Sequence, residues 1–306
     1  MAAAWVRPAL RVASAAALPF AVPALVTGAL WALPGDPAEI ICPPGICTGT
    51  AELAQRWGLD QGPLSFYLGW MGNALTGAFG NSWRLSQGFP VADLLIESAP
   101  VTAALLALAA VPMIVASVFA ASGRHPRALE RVWWAFGLAP AVVLTLVAAA
   151  FVEIRYGALS HDGWPAILRL LLGAGVLALS DGAMSDAVGA TRAVFEGERA
   201  QRYASMAMLR GESVLANTLP NVLPALAGQW RARLLGVLSG TVVVEVVLGI
   251  PGLGDLLWAG TLLQDFGVVL AGAWAFSWLS ALLLLSQALV ELGTVWWVRR
   301  APAGIA

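Results

Sequence analysis

Long apolar runs separated by shorter polar stretches dominate this chain. A helix that crosses the hydrocarbon core of a membrane needs about 20 mostly apolar residues, because it rises about 1.5 Å per residue. Several runs reach that length, and together they predict an all-α, polytopic membrane protein with about six transmembrane helices. The predicted spans lie at about 12–33, 99–121, 132–152, 165–188, 227–250 and 267–297.

Composition supports a membrane location. The 306 residues are 59% hydrophobic and 11% charged, with a mean hydropathy of +0.78, whereas an ordinary soluble domain is about 25% charged. The net charge of -1 gives no global basic field that would indicate nucleic acid. The run 12–33 follows Arg7 and Arg11, but it is long for a signal peptide and lacks a clear cleavage site, so we expect it to be retained.

The arginines predict the orientation, because cytoplasmic loops next to spans are enriched in positive charge. Only Arg56, Arg84 and Arg155 fall in outer segments when the N-terminus is placed inside. We therefore expect both termini to be cytoplasmic. The inner segments then hold Arg7, Arg11, Arg124, Arg127, Arg131, Arg192, Arg199, Arg202, Arg210, Arg299 and Arg300.

Two connecting segments are too long to be simple turns. Residues 34–98 contain prolines, glycines and the amphipathic stretch Ala51 to Leu59, and they predict an external cap segment. Residues 189–226 lie on the inner side and surround the helical run Arg202 to Leu209 with charged residues. The chain 1–306 is therefore predicted to be one membrane domain with two polar elaborations.

The chain lacks the residues that several kinds of site require. It contains no lysine, and a phosphate-binding P-loop needs one, so we expect it to bind no cofactor and ATP to be used by another chain. Cys42 and Cys47 could form a short-loop disulfide or stay as two thiols. His125 and His161 are distant from them in sequence, so no metal site is predicted.

Four ionisable residues fall within predicted spans and are candidates for function, because a charge in a membrane is costly. Asp181 and Asp186 are five residues apart and should roughly share one face of the fourth span. Arg231 and Arg233, near the start of the fifth, should point to different faces. Two interpretations stay open: pairing at the cytoplasmic ends of the helices, or contact with a charged solute in a translocation path.

Five blocks occur in an order that resembles the inner-membrane permease subunits of binding-protein-dependent ABC importers, specifically the dipeptide, oligopeptide and nickel type. The similarity runs from about residue 30 to the C-terminus. The blocks are Leu33-Pro34-Gly35-Asp36-Pro37; Trp57-Gly58-Leu59-Asp60, with Tyr67; Gly77-Ala78-Phe79-Gly80-Asn81-Ser82; Pro90-Val91, with Thr102; and Glu245-Val246-Val247-Leu248-Gly249-Ile250-Pro251-Gly252-Leu253-Gly254.

This resemblance implies a type I ABC importer permease fold in the cell inner membrane. The chain would form half of the translocation pathway for a peptide or similar small solute. It also implies a second permease subunit, two cytoplasmic ATPase subunits and an external substrate-binding protein as partners.

In this family, a short helix in the loop before the fifth span, marked by Glu-Ala-Ala and then Gly, docks on the ATPase. Here Tyr203, Ser205, Ala207 and Gly211 occupy that place, and Leu219 to Pro224 resembles the end of the motif. The sequence departs from the pattern because Ser205 replaces the usual glutamate and the stretch after Gly211 is about four residues short. A transport-inactive relative, acting as a sensor or scaffold, therefore stays open.

The fifth block predicts the end of the fifth span. Pro251 cannot continue a helix, and Gly252 and Gly254 permit tight turns, so a compact re-entry is expected there, followed by an amphipathic segment from Leu256 to Leu263. Glu245, Pro251, Gly252 and Gly254 could shape an outer mouth or only form an interhelical turn. A membrane-embedded enzyme is disfavoured, because the two histidines lie in loops and form no dyad within the spans, and no catalytic residue is predicted.

Overall fold

The computed structural model describes the backbone of residues 3–41, 49–123, 126–157 and 163–300. Within these ranges, the surroundings of the side chains are described for residues 6–297, with the exception of residue 127. The alternatives for Cys42 and Cys47, and the loop positions of His125 and His161, concern residues outside these ranges. Within them the chain is helical, apart from turns and one isolated antiparallel bridge between Asn81 and Pro90. The helices are α1 (Ala3–Ala32), α2 (Pro37–Ile41), α3 (Thr50–Trp57), α4 (Pro63–Ala74), α5 (Val91–Ala121), α6 (Arg127–Gly137), α7 (Ala141–Tyr156), α8 (Trp164–Leu179), α9 (Ala183–Arg199), α10 (Arg202–Leu209), α11 (Val214–Leu248), α12 (Leu253–Leu262) and α13 (Phe266–Arg300).

Four stretches in the described ranges are long and apolar enough to cross a membrane, and the number rises to six if each of two bent helix pairs counts as one span. The predicted all-α, multi-span architecture is therefore confirmed. The four stretches are Val6–Ala32, Val91–Ala121, Trp164–Arg199 and Phe266–Trp297; the pairs are Ala128–Gly137 with Ala141–Tyr156, and Val214–Leu248 with Leu253–Leu262.

The predicted span 132–152 is not one straight helix. It is interrupted between α6 and α7, whose axes differ by 91°. Pro140 lies in the break and explains it, because proline has no N–H to donate and its ring disfavours helical geometry at Ala139. The preceding span is also longer than expected, since α5 begins at Val91 rather than near residue 99.

A second break divides the predicted span 165–188. Asp181 has a φ of 49° and Gly182 a φ of 74°, and these two left-handed residues separate α8 from α9. The expectation that Asp181 and Asp186 share one face of a helix is wrong for this reason. Asp186 lies in the first turn of α9, and Asp181 lies outside both helices.

The two breaks meet. The Asp181 N–H donates to the carbonyl oxygen of Ala139, at 3.3 Å, so a donor freed at one break satisfies an acceptor freed at the other. A Cβ atom built on Gly137 would lie 2.8 Å from the Cα of Gly182. Glycine at 137 therefore permits the close approach of the two chain segments.

Helix α11 starts 13 residues before the predicted boundary at 227, at Val214. Ser213 caps it, since its side-chain oxygen accepts a hydrogen bond from the Ala216 N–H, as serine commonly does at this position. Pro220 and Pro224 lie inside this helix. Arg231 and Arg233 consequently lie in its middle, and the expectation that they mark its start is wrong.

The chain folds as two compact units. The first comprises Met1–Ala15, Ala103–Ile250 and Leu282–Ala306. The second comprises Ala16–Thr102 and Pro251–Ala281. The second unit has an apolar core in which Leu30, Ile41, Leu53, Leu59, Phe66, Phe266 and Leu270 are buried.

Candidate functional site

Helix α10 occupies Arg202–Leu209, the range predicted from the sequence. Ala204 and Ala207, three residues apart, are buried at 2% and 1% exposure, so they form the face that packs against the protein. Met206, Met208 and Leu209 are 56%, 65% and 79% exposed. Such a cluster of exposed apolar side chains on one short helix is typical of a contact surface.

Tyr203 ties α10 to both neighbouring helices. Its hydroxyl donates to the carboxylate of Glu198 in α9 and accepts a hydrogen bond from the Asn221 amide in α11, at 3.0 Å. Partial burial, and then the nearby Glu198 carboxylate, raise the pKa of Tyr203. The phenol therefore stays protonated near neutral pH and can act as the donor to Glu198.

The C-terminus of α10 is closed by Gly211, which has a φ of 73°. The Gly211 N–H donates to Met208, and the Glu212 N–H donates to Ala207 at 2.9 Å, which is the Schellman pattern that favours glycine. The Arg210 side chain pairs with Glu212 at 2.7 Å and lowers the pKa of that carboxyl. Ser205 is exposed on α10, so its hydroxyl faces the surface at the position where the family pattern has a glutamate.

Of the four charged candidates, the structure brings two together. Asp186 of α9 and Arg233 of α11 form an ion pair with an O–N distance of 2.7 Å, and their side chains are 47% and 38% exposed. This pair lines a cavity of about 180 Å³ in the first unit. The remaining lining residues are Ala187, Ala190, Thr191, Gln229, Trp230 and Ala232.

The other two candidates do not meet. Asp181 is exposed at the break between α8 and α9, and Arg231 is half-buried on α11. In the ranges that the structure covers, no ion pair or hydrogen bond joins them. Neither lines the cavity that contains Asp186 and Arg233.

The turn that follows α11 is made by a different glycine from the two that were predicted. Glu245 is fully buried in the last turn of α11, and its backbone carbonyl accepts from the Ile250 N–H at 2.9 Å. The left-handed residue that ends the helix is Gly249, with a φ of 62°. Gly252 is extended and Gly254 lies within α12, so the expectation that these two glycines make the turn is wrong.

The residues that lead into α12 are mostly buried. Gly252 and Gly254 are both buried, whereas Pro251 is exposed. The N–H of Leu253 donates to the side-chain oxygen of Thr102 at 2.8 Å. Thr102 is fully buried, so the start of α12 is fixed against α5 within the second unit.

Sequence reasoning gave no role to Arg169 in α8. Its side chain is only 5% exposed, and its guanidinium donates to the carbonyl oxygen of Leu248 at 3.0 Å. The C-terminal carbonyls of a helix lack partners within the helix. Arg169 therefore stabilises the end of α11, close to the buried Glu245.

Sequence reasoning also missed Asp265, which is fully buried in the second unit. One of its carboxylate oxygens accepts from the Ser82 hydroxyl at 2.6 Å and from the backbone N–H groups of Trp83, Arg84 and Leu85 at 2.8, 3.0 and 3.2 Å. The other accepts from the Val268 N–H at 3.3 Å, in the first turn of α13. A helix N-terminus favours a negative charge, and five donors surround this one.

The segment from Gly80 to Pro90, here called the 80–90 loop, is closed on itself and held to Asp265. The Ser82 N–H donates to Phe89 at 2.8 Å, and the Val91 N–H donates to Gly80 at 2.9 Å. Arg84 adds a second attachment, because its guanidinium donates to the side chain of Gln264 at 2.8 Å and to the Leu263 carbonyl. The loop is therefore fixed to the connection between α12 and α13.

No group of three or more His, Cys, Asp or Glu side chains in the described ranges is placed to hold a metal ion. Asp186 binds Arg233, Asp265 accepts hydrogen bonds from Ser82 and from backbone N–H groups, and Arg169 donates to a backbone carbonyl.

Comparison with known proteins adds the relatives of this chain. No family model matches it. It is 29% identical over 273 residues to the glutathione transport system permease protein GsiC of Escherichia coli, which covers 84% of this chain and 87% of that protein. The same figures hold for GsiC of Shigella boydii. The oligopeptide transport system permease protein AppB of Bacillus subtilis is 26% identical over 264 residues, covering 78% of this chain and 82% of the relative.

The long apolar helices and these relatives define the class: a multi-pass helical membrane protein that acts as a transport subunit. Within that class, the chain resembles the inner-membrane permease subunits of ABC importers. The resemblance identified from the five sequence blocks is confirmed.

Proposed function

We propose that this permease forms half of the path for a peptide or similar small solute and that partner subunits hydrolyse the ATP. The chain itself has no ATPase site in this proposal. The relatives named for glutathione and oligopeptide transport support the solute class. A second permease, two ATPase subunits and an external binding protein complete the proposed importer.

The exposed apolar face of α10 carries the proposal. Met206, Met208 and Leu209 are exposed, while Tyr203 fixes α10 to α9 and α11. An ATPase that moves α10 would therefore move the ends of two long helices with it. This is the mechanical link that an ATP-driven permease needs between a soluble partner and its spans.

The arginine distribution supports the orientation that this link requires. Both termini and residues 189–226 are proposed to be cytoplasmic, which brings α10 to the side where ATP is available. Residues 34–98, which contain α2, α3, α4, the 80–90 loop and the start of α5, would then form the external cap.

The pair Asp186 and Arg233 is the best candidate for solute contact. It is half-exposed at a small cavity and offers both charges within 2.7 Å of each other. A zwitterionic solute could exchange its own ammonium and carboxylate for these partners, so the pair would open without leaving a lone charge in the membrane. Asp181 and Arg231 are weaker candidates for the same path.

The test is assembly with an ATPase. The chain is co-expressed with a second permease subunit and the ATPase subunits of the same importer, and the complex is purified in nanodiscs. A double variant, Met206→Ser with Leu209→Ser, removes two exposed apolar side chains from α10. Burial of such side chains contributes about 1.5 to 3 kcal/mol each, so we expect ATPase affinity to fall at least tenfold and solute uptake to be lost.

Leu64→Ser is the matched control, since Leu64 is 69% exposed on α4. It should leave ATPase binding unchanged. If the unmodified chain binds no ATPase at all, the import proposal fails, and a role as a transport-inactive sensor or scaffold becomes the better explanation.

A further inference from the structure

The second unit contains a cavity of about 740 Å³. Pockets that bind small molecules typically measure about 300 to 1,000 Å³ and combine aromatic walls with a few polar groups. The cavity lies between α3, α4 and residues 78–88, and none of the interactions described for the ATPase contact or the translocation path uses it. Its aromatic lining consists of Trp57, Phe66, Trp70, Phe79 and Trp83.

The aromatic walls are packed against the rest of the unit. The rings of Trp57 and Trp83 meet edge to face, with centroids 4.8 Å apart, a favourable arrangement for aromatic pairs. Gly267 leaves room for this, because a Cβ atom there would lie 2.9 Å from the Trp57 ring. Trp83 is fixed further by its backbone N–H, which donates to Asp265.

The polar lining is cationic and rich in amides. Among the residues that the structure describes, Arg56 is the one charged member of this lining, and the lining includes no carboxylate. The guanidinium is exposed, and the described residues supply it with no ion-pair or hydrogen-bond partner. The amide side chains are those of Gln55, Gln61, Asn73, Asn81 and Gln87.

Two further groups lie beside this lining. Asp265 lies behind Ser82, but its carboxylate already accepts five hydrogen bonds. Trp70 carries a further donor, because its indole N–H is buried and lacks a hydrogen-bond partner among the described residues. The cavity therefore offers one positive charge, several amides and large aromatic surfaces.

We propose that this cavity is a binding site for a peptide-class solute with a free carboxylate and an apolar side chain. Arg56 binds the carboxylate, the amides hydrogen-bond to the peptide groups, and the rings of Trp57, Trp70 and Trp83 contact the apolar side chain. This inference rests on the proposed function, in which the second unit provides the external cap and receives the solute before the path opens.

The test measures binding of two probes that differ only in the carboxylate. The full chain in nanodiscs is titrated by calorimetry with the tripeptide Ala-Ala-Phe as the free acid and as its C-terminal amide. A charge-assisted hydrogen bond strengthens binding by roughly tenfold or more, so the free acid should bind at least tenfold more tightly than the amide.

Arg56→Gln supplies the second arm of the test. It should weaken binding of the free acid to the level of the amide and leave amide binding unchanged. Arg155→Gln is the matched control, because Arg155 is also exposed but lies outside the cavity. Thermal unfolding of each variant checks that the fold is retained.

Three results would overturn the proposal: no binding of either probe, equal binding of the acid and the amide, or normal affinity in Arg56→Gln. Absence of binding of both peptides is also the result expected if the cavity instead binds a carboxylate of the external binding protein. In that case only the intact binding protein would bind to the chain. Uptake by the assembled importer separates this proposal from the proposed function. If the unmodified importer transports peptide while these binding results fail, only the cavity proposal is lost.

Discussion

The 80–90 loop and helix α10 differ in how their polar and apolar groups are directed. The loop has its polar donors turned inward onto Asp265, with four of them on a single carboxylate oxygen. Helix α10 has its alanines turned inward and leaves Met206 and Leu209 exposed. The loop is satisfied by its own chain, whereas α10 presents apolar surface that its own chain does not cover.

This difference predicts that the loop matters for folding stability and that α10 matters for binding a partner. A change in the loop should first be seen as a loss of folded protein, because buried polar groups lose their partners. A change on the exposed face of α10 should first be seen as a loss of a partner, because surface substitutions affect stability little. Measuring stability and assembly on the same variants therefore tests whether the two regions have different roles.

The largest effect is expected for Asp265→Asn. The amide oxygen can take the place of the oxygen that accepts four hydrogen bonds, but the NH2 group then faces the Val268 N–H, and the negative charge that these donors and the start of α13 stabilise is lost. We expect a loss of about 2 to 4 kcal/mol in the free energy of unfolding, measured by thermal or denaturant unfolding in detergent. Asp60→Asn is the control, since Asp60 is exposed in the same unit, and it should change stability by less than about 0.5 kcal/mol. Equal stability of the two variants would remove the contrast between the loop and α10.

A smaller effect is expected for Ser82→Ala. The Ser82 hydroxyl donates to Asp265 and accepts from the Ser86 N–H at 2.9 Å, but three backbone donors stay on the same carboxylate oxygen. A loss of about 1 to 2 kcal/mol follows from one charge-assisted hydrogen bond. Ser65→Ala removes a single exposed hydrogen bond to Gln61 and serves as the comparison in the same unfolding assay. A loss at Ser82 no greater than at Ser65 would argue against a role for the Ser82 hydroxyl in holding the loop.

On the α10 side, Tyr203→Phe should have a modest effect on stability and a clear effect on coupling. It removes the hydrogen bonds to Glu198 and Asn221 but keeps the ring, so we expect about 1 kcal/mol or less. Stimulation of the partner ATPase by solute should fall, because α10 is no longer tied to α9 and α11, while ATPase binding is retained. Retained stimulation together with unchanged stability would show that Tyr203 does not transmit movement.

Because the pKa of Tyr203 is raised, this residue should make the stability of the folded chain depend on pH. The folded chain holds this proton more tightly than the unfolded chain does, so stability contributed by the neutral phenol is lost as pH rises through the unfolded and then the folded pKa. The loss is therefore expected only in the alkaline range, above about pH 10. Unfolding midpoints of the unmodified chain and Tyr203→Phe, compared between about pH 7 and 11, should converge as pH rises.

The smallest stability effect is expected at the ion pair. Asp186→Asn should cost about 1 kcal/mol or less, because both side chains are more than a third exposed and such pairs contribute little. Uptake of a zwitterionic peptide should fall much more than stability if the pair contacts the solute. The exchanged double variant, Asp186→Arg with Arg233→Asp, should recover stability, and unchanged uptake in Asp186→Asn would assign the pair a structural role only.

The sequence predicts α10 and the overall architecture because both depend on patterns within one segment. The run Arg202–Leu209 has its own helical periodicity, and the spans follow from hydropathy alone. The break at Pro140 also has a local signal, since proline interrupts helices. The hydropathy of residues 132–152 nevertheless predicts one continuous span, because hydropathy does not register the effect of Pro140 on the backbone.

Asp265 could not be found in the same way. Its donors come from Ser82 to Leu85, about 180 residues earlier, and most of them are backbone N–H groups that every residue except proline carries. Arg169 is similar, because its partner is the backbone carbonyl of Leu248. By contrast, Asp186 and Arg233 are recognisable in the sequence as side chains of opposite charge. The sequence does not indicate which acidic and which basic residue of the four charged candidates form a pair.

The contact between the breaks at Ala139 and Asp181 constrains how this protein can evolve. Replacing Pro140 with a good helix former would favour a straight helix across α6 and α7, and the Ala139 carbonyl would then bond within that helix instead of accepting from the Asp181 N–H. Replacing Asp181 with a β-branched residue would disfavour the left-handed conformation that directs its N–H to this carbonyl. Each of the two substitutions would therefore remove the hydrogen bond that joins the two breaks, so a change at one break also affects the other.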